Sequence, residues 1–210
     1  MKKCIIVGAG DFYPFCLRID KGDFIIAADG GYENCKKIGF TPDLAVGDWD
    51  SLPARPADCE IFELPVEKDD TDTLAAIRIG LEKGFEEFHI LFGTGGRIDH
   101  TLANMQCLVY LASLGKRGYL YSEKQAVTAI KNSAVAFSEK AKGVLSVFAA
   151  DGTAEGVTET GLKYSLDNAE VTSDFPIGVS NSFVGEKSRI SVKNGTLYII
   201  FPIGEMPYDN

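Results

Sequence analysis

No stretch of this sequence approaches the roughly 18 consecutive apolar residues of a membrane-spanning helix. The apolar run behind the basic start Met1-Lys2-Lys3 ends after Cys4-Ile5-Ile6-Val7, too soon for a signal-peptide core, so a cytoplasmic location is expected. Cysteine is sparse and unpatterned: Cys4, Cys16, Cys35, Cys59 and Cys107 are odd in number and lack a Cys-x-x-Cys spacing. That argues against a disulfide framework or a zinc site and fits buried thiols in a reducing compartment. Positive charge is short as well, with 21 Lys and Arg against 30 Asp and Glu, a net charge of −9. An acidic chain repels nucleic acid and anionic membranes, so neither is expected as a partner. An anionic substrate would need a metal or a local cluster of donors, whereas the acidic balance favours a cationic one.

Familiar catalytic signatures are missing too. There is no Gly-x-x-x-x-Gly-Lys-Ser/Thr loop and no Gly-x-Ser-x-Gly, and neither histidine has the setting of a Ser/His/Asp triad. Gly8-Ala9-Gly10 opens like a dinucleotide fingerprint, but Tyr13 occupies the third glycine position.

What is present is an ordinary globular composition, 45% hydrophobic and 24% charged over 210 residues, enough for a sizeable core. The first half alternates strand and helix signals. Cys4–Val7, Phe24–Ala28, Leu44–Val46, Glu60–Leu64 and His89–Phe92 are short, mostly apolar runs of the kind found in parallel strands covered on both faces. Between them, Asp72–Lys83 places Leu74, Ile77 and Leu81 on one helical face, with Thr71 as N-cap and Gly84 just past the end. Asp99–Leu114 places Leu102, Met105, Leu108, Val109 and Ala112 along one side, with Gly115 as the stop. Strands alternating with helices predict a doubly wound α/β sheet.

Past Gly115 short β-rich segments take over: Gly118–Ser122, Ala126–Ile130, Ala134–Phe137, Val144–Ala149, Ser188–Lys193 and Thr196–Phe201. Asn194-Gly195 predicts a type I′ hairpin, and the sequon Asn194-Gly195-Thr196 is read as that turn. The expected fold is α/β plus all-β: a mostly parallel doubly wound sheet over residues 1–120 and an antiparallel β-sandwich over 121–210.

Ligands of open α/β sheets sit outside the carboxyl ends of the strands. Four Asp- and Gly-rich motifs fall at successive strand ends here: Asp29-Gly30-Gly31, Gly47-Asp48-Trp49-Asp50-Ser51, Lys68-Asp69-Asp70-Thr71-Asp72 and Gly95-Gly96-Arg97-Ile98-Asp99-His100. Each alone reads as turn chemistry. In an extended segment Asp48 and Asp50 point the same way, so both can meet one Mg²⁺; the same pair also suits an Asx-turn. Asp69, Asp70 and Asp72 repel one another, which a bound cation relieves, although acids also suit a helix start. Lys68 reaches a phosphate or offsets the local charge. Gly30, Gly31, Gly95 and Gly96 leave room for backbone N–H groups near phosphates and Arg97 adds a donor fork, while His100 either hydrogen-bonds a nucleotide or substrate or, as a lone histidine more often does, plays a structural part. In the β-rich half, Gly161-Leu162-Lys163-Tyr164 offers a stacking face and Gly178-Val179-Ser180-Asn181 offers donors and acceptors, although by chemistry alone both read first as ordinary strand and turn residues.

In this order the motifs resemble those of the bacterial-type thiamine pyrophosphokinases, and the resemblance covers nearly the whole chain. It implies a catalytic α/β domain, a thiamine-binding β-sandwich, and a homodimer with its active sites between subunits. It also implies the conversion of ATP and thiamine to AMP and thiamine diphosphate. On that footing Asp48, Asp50 and Asp72 would hold Mg²⁺, and Asp69 or Asp99 would orient or deprotonate the thiamine hydroxyl. Asp29, Gly30, Gly31, Lys68, Gly95, Gly96, Arg97 and His100 would bind ATP. Tyr164, Ser180 and Asn181 would receive the thiamine rings, Tyr164 standing where many relatives carry tryptophan. Two other readings use the same residues: a pyrophosphokinase for another alcohol such as a pterin, against which the β-domain motifs speak, and a non-catalytic thiamine or nucleotide sensor, against which the full carboxylate set speaks.

Overall fold

The computed structural model describes residues 2–14, 17–48, 56, 58–64 and 70–209. It divides into two compact units, one of residues 1–107 and 116–123, the other of 108–115 and 124–210. The chain is α/β plus all-β, a parallel sheet with helices followed by an antiparallel sandwich.

The first unit is built on β1 (Cys4–Val7), β2 (Phe24–Ala28), β3 (Leu44–Gly47), β4 (Glu60–Glu63), β5 (Glu87–Leu91) and β6 (Arg117–Tyr121). They lie in the order β6-β5-β1-β2-β3-β4, and every pairing is parallel. β1 and β3 are buried at every residue, which explains their unbroken apolar runs. The segment Gly118–Ser122, grouped above with the β-rich half, is found as β6, parallel to β5. From β1 the chain first builds outward through β2, β3 and β4, then returns to β5 on the other side. The strand order thus reverses at β1 and β5, the place where such sheets bind ligands.

Helices α1 (Gly31–Lys37) and α2 (Asp72–Glu82) pack on this sheet, and α3 (Ile98–Ser113) starts in this unit and ends in the second. The α2 start follows the sequence reading, since the Thr71 hydroxyl accepts the Leu74 N–H at 3.2 Å. Its buried face is different: Ala75, Ala76, Ile77 and Gly80 are covered, while Leu74 and Leu81 are half-buried. Small residues let the helix lie close to the sheet, and a Cβ on Gly80 would crowd the Phe88 ring and Cys4 Sγ. In α3 the buried residues are Asn104, Cys107, Leu108 and Leu111, and Leu102 is 60% exposed. This helix is apolar on more than one side, so periodicity alone does not single out the face that packs. α1 was not expected, because seven residues beginning Gly31-Tyr32-Glu33 carry too little helical period. Among the described residues, no helix is long and apolar enough to cross a membrane.

Gly31 is tied to the sheet by contact: a Cβ there would overlap the Val7 carbonyl oxygen. Gly31→Ala is expected to destabilise the protein by about 3 kcal/mol, because a buried backbone atom cannot give way as a side chain does. Urea denaturation measures it, and a loss below about 1 kcal/mol would contradict this packing.

The second unit holds two antiparallel sheets. One has the order β12-β9-β14-β7, from β7 (Gln125–Lys131), β9 (Val144–Ala149), β12 (Asn181–Ser182) and β14 (Thr196–Pro202). The other has the order β11-β10-β13-β8-β15, from β8 (Ala134–Phe137), β10 (Thr153–Thr160), β11 (Leu166–Thr172), β13 (Ser188–Ser191) and β15 (Tyr208–Asp209). Phe137 packs against Phe183 and Phe201, with ring centroids 5.1 and 5.4 Å away. The predicted Asn194-Gly195 hairpin is corrected. β13 pairs with β10 and β8, β14 pairs with β7 and β9, and the two strands lie in different sheets. Gly195 alone has positive φ (+111°), whereas a type I′ turn needs it at both central residues. Instead the Asn194 N–H donates to the Glu155 carbonyl and the Gly195 N–H to Asn132 Oδ1, making a crossing between sheets.

Candidate active site

The carboxyl ends of β1, β2, β3 and β5 assemble one rim. After β1, the N–H groups of Gly8, Gly10 and Asp11 donate to the carbonyls of Leu91, Phe92 and Thr94 at 2.8, 2.7 and 3.0 Å. The turn behind β1 is therefore zipped to the turn behind β5. Asn34 of α1, 4% exposed, donates to the Gly8 carbonyl at 2.9 Å, and Asn104 of α3 donates to the Gly93 carbonyl at 2.7 Å. Both are buried polar anchors that no local pattern announces, since asparagine in a helix usually faces water. Tyr13 explains the broken dinucleotide fingerprint. Its buried hydroxyl donates to the Tyr121 carbonyl at 2.7 Å and accepts the Phe92 N–H at 3.0 Å, and burial pushes its pKa up to about 12. A cavity of about 400 Å³ opens beside this turn, lined by Asp11, Phe12, Pro14, Thr94, Gly95 and Glu123 among others.

Asp29 and Asp48 stand at adjoining strand ends. Ala28 pairs with Val46, and the Asp29 N–H donates to the Val46 carbonyl at 2.7 Å. Asp29 has a left-handed φ of +48°, a conformation aspartate tolerates better than most residues. Asp72 opens α2, and Asp70 beside it binds Arg78 Nη1 at 2.6 Å. Asp50, Lys68 and Asp69 lie outside the described residues. Among the described residues, no three His, Cys, Asp or Glu side chains gather as a metal cage.

Arg97 and Asp99 are paired: Nη2 reaches Oδ2 at 2.6 Å and Nε reaches Oδ1 at 3.2 Å. That hydrogen-bonded guanidinium holds the Asp99 carboxyl below the usual carboxylate range. The same carboxylate accepts the His100 N–H at 3.0 Å, so Arg97, Asp99 and His100 form one cluster on the first turn of α3. Gly95 and Gly96 precede it with φ of +81° and +59°, and a Cβ on Gly95 would overlap the Asp11 carboxylate. Gly31, as shown above, is required by packing against β1. The other histidine, His89, is buried between Tyr121 Oη at 2.8 Å and Glu87 Oε1 at 2.9 Å, a core role. Cys4, Cys35 and Cys107 are buried free thiols, and burial pushes Cys4 to about 12 and Cys107 to about 11.

In the second unit the structure brings the two β-domain motifs together. Asn181 Oδ1 accepts the Tyr164 N–H at 2.9 Å, and its Nδ2 donates to the Tyr164 carbonyl at 2.6 Å. Ser180 has φ +64°, and its N–H donates to Ser146 Oγ at 3.1 Å. The Tyr164 ring is 60% exposed, with Lys163 Nζ 5.2 Å from its centroid. Glu159, not singled out from the sequence, is buried against Asn181.

Two family models match in chain order. The one described as "Thiamin pyrophosphokinase, catalytic domain" covers residues 15–119, and "Thiamin pyrophosphokinase, vitamin B1 binding domain" covers 134–197. A thiamine pyrophosphokinase of Bacillus subtilis (strain 168) is 27% identical over 197 residues, 86% of this chain and 88% of that protein. The crystal structure of thiamine pyrophosphokinase from Bacillus subtilis superposes with a TM-score of 0.84 at 25% identity, covering 97% of this chain and 100% of that one. That of the Geobacillus thermodenitrificans protein does so with a TM-score of 0.83 at 25% identity, covering 95% and 97%. The catalytic-domain match alone spans half of the sequence, and the vitamin-B1-binding match follows it over the sandwich: the chain belongs to the thiamin pyrophosphokinase family.

Proposed function

We propose that the chain transfers the pyrophosphoryl group of ATP to the hydroxyl of thiamine, giving thiamine diphosphate and AMP. One observation carries the reading. A strand-end rim of carboxylates and glycine turns is followed, in the same chain, by a sandwich that matches the vitamin-B1-binding description. The first unit then serves as the catalytic domain and the second as the thiamine-binding domain of a cytoplasmic homodimer, with each site assembled between subunits.

The thiamine hydroxyl attacks the β-phosphorus and AMP leaves. Such transfer depends mainly on positioning and charge neutralisation. The donor chemistry at the strand ends fits Mg²⁺: Asp48, with Asp50 and Asp72, supplies the hard carboxylate oxygens that this ion takes alongside phosphate. When bound, the ion supplies charge neutralisation at the transferring phosphates. Asp29, Gly30, Gly31, Lys68, Gly95, Gly96, Arg97 and His100 form the ATP side. Arg97 has a further consequence there. A polyphosphate that draws its guanidinium away releases Asp99, whose carboxylate then regains basicity. Asp99 thus stands as a candidate for the group that orients or deprotonates the hydroxyl, beside Asp69, which the family resemblance offers for the same role. Tyr164 offers its exposed ring to the substrate's rings, and the acidic site suits the cationic thiazolium.

Incubation with ATP, Mg²⁺ and thiamine is expected to yield AMP and thiamine diphosphate in equal amounts by chromatography. Stoichiometric ADP with thiamine monophosphate would overturn the reading.

A further inference from the structure

The motifs containing Tyr164 and Asn181 meet through one amide. Asn181 is 6% exposed. Its Oδ1 accepts the N–H groups of Tyr164 and Ser182, both at 2.9 Å. Its Nδ2 donates to the Tyr164 carbonyl at 2.6 Å and to Glu159 Oε2 at 2.9 Å. A carboxamide has two donor hydrogens and two acceptor lone pairs, so all of its capacity is taken up inside the protein. Asn181 therefore acts as a clamp on the Tyr164 backbone and has no valence left for a ligand.

Glu159 lies within β10, opposite Ile190 of β13 and Leu166 of β11, and is 2% exposed. Its Oε1 is buried and has no hydrogen-bond partner among the described residues. Burial raises its pKa, and the bond from Asn181 opposes that rise. A carboxyl group buried with one of its two oxygens unpartnered is a poor stabilising element, and such groups call for another explanation. Its hydrogen bond from Asn181 supplies it: Glu159 takes the Nδ2 hydrogen that the Tyr164 carbonyl does not.

We propose that Glu159 is a positioning residue for the thiamine subsite: it orients the Asn181 amide, which holds the Tyr164 backbone and so presents the exposed Tyr164 ring in one place. The proposal rests on the function proposed above and adds to it a residue that touches no substrate.

Steady-state kinetics and amide hydrogen exchange on Glu159→Leu and Glu159→Gln test it. In Glu159→Leu the KM for thiamine is expected to rise about tenfold to a hundredfold, as for loss of a hydrogen bond to a charged group. Its kcat and its KM for ATP should stay within about twofold of wild type, since the substrate-contacting groups remain. In Glu159→Gln the amide oxygen still accepts from Asn181, so the thiamine KM returns to near wild type. The Tyr164 and Ser182 amides should exchange faster in Glu159→Leu, while amides elsewhere in β10 and β13 do not. If Glu159→Leu does not fold, Glu159→Thr replaces it with the same expectations, since threonine suits a strand and its hydroxyl is too short to reach Asn181. An unchanged thiamine KM, equal rises in both KM values, or unchanged exchange at Tyr164 overturns the proposal. A wild-type chain that makes no thiamine diphosphate overturns the underlying function and the proposal with it. Exchange at Tyr164, which needs no substrate, tells that outcome apart from failure of the clamp.

Discussion

Turnover of Asp48→Asn and of Asp72→Asn is expected to fall on the order of 10²-fold or more, the usual loss when one charge-stabilising group at a reacting centre is removed. Asp48 follows Gly47 at the end of β3, one strand from Asp29, and Asp72 is the first residue of α2. Asparagine keeps the shape of each side chain and removes the charge proposed to hold Mg²⁺. Folding should survive. At Asp72 the loss of its favourable interaction with the helix dipole costs about 1 kcal/mol or less. Thermal melts and steady-state rates measured together decide the matter. Near-normal turnover in both folded variants would remove these residues from the proposed metal site.

Mixing two chains that are each nearly inactive at low thiamine is expected to restore activity. The proposed site joins the strand-end carboxylates of one subunit to the Tyr164 region of the other, so an Asp72→Asn chain and an Asn181→Ala chain carry lesions on opposite sides of it. Asn181→Ala removes the clamp of two 2.9 Å acceptor bonds and two donor bonds described above. In a heterodimer one site carries both lesions and the other carries neither. With random exchange and independent sites, activity measured at low thiamine should return to roughly a quarter of wild type, a fraction set by closed two-fold symmetry and mass action. A stable monomer by light scattering, or proven exchange with no recovered activity, would contradict a shared site.

The two halves of the chain differ in how much of them could be read from sequence. The parallel strands were legible because burial on both faces leaves unbroken apolar runs, as in Cys4–Val7 and Leu44–Val46. The α2 start was legible because Thr71 caps it through a local bond. β10 and β11 were not, since Thr153–Thr160 and Leu166–Thr172 are mostly polar and become strands through their pairing with each other. The Asn194-Gly195 turn misled for a related reason. The local signal is a hairpin signal, but long-range pairing sends the strands on either side of it into different sheets.

At the candidate site, sequence by itself determined which residue types gather at the strand ends and their order, because turn chemistry and apolar periodicity are local properties. Tertiary structure alone decided what each side chain does there. It sets Gly31 against the Val7 carbonyl, forks Arg97 onto Asp99, and commits every donor and acceptor of Asn181 within the protein. It also buries Glu159, a residue that in a polar strand reads as solvent-facing. The physical reason is the same in each case. Burial, close contact and hydrogen-bond saturation depend on atoms brought from distant parts of the chain, and no local pattern encodes them.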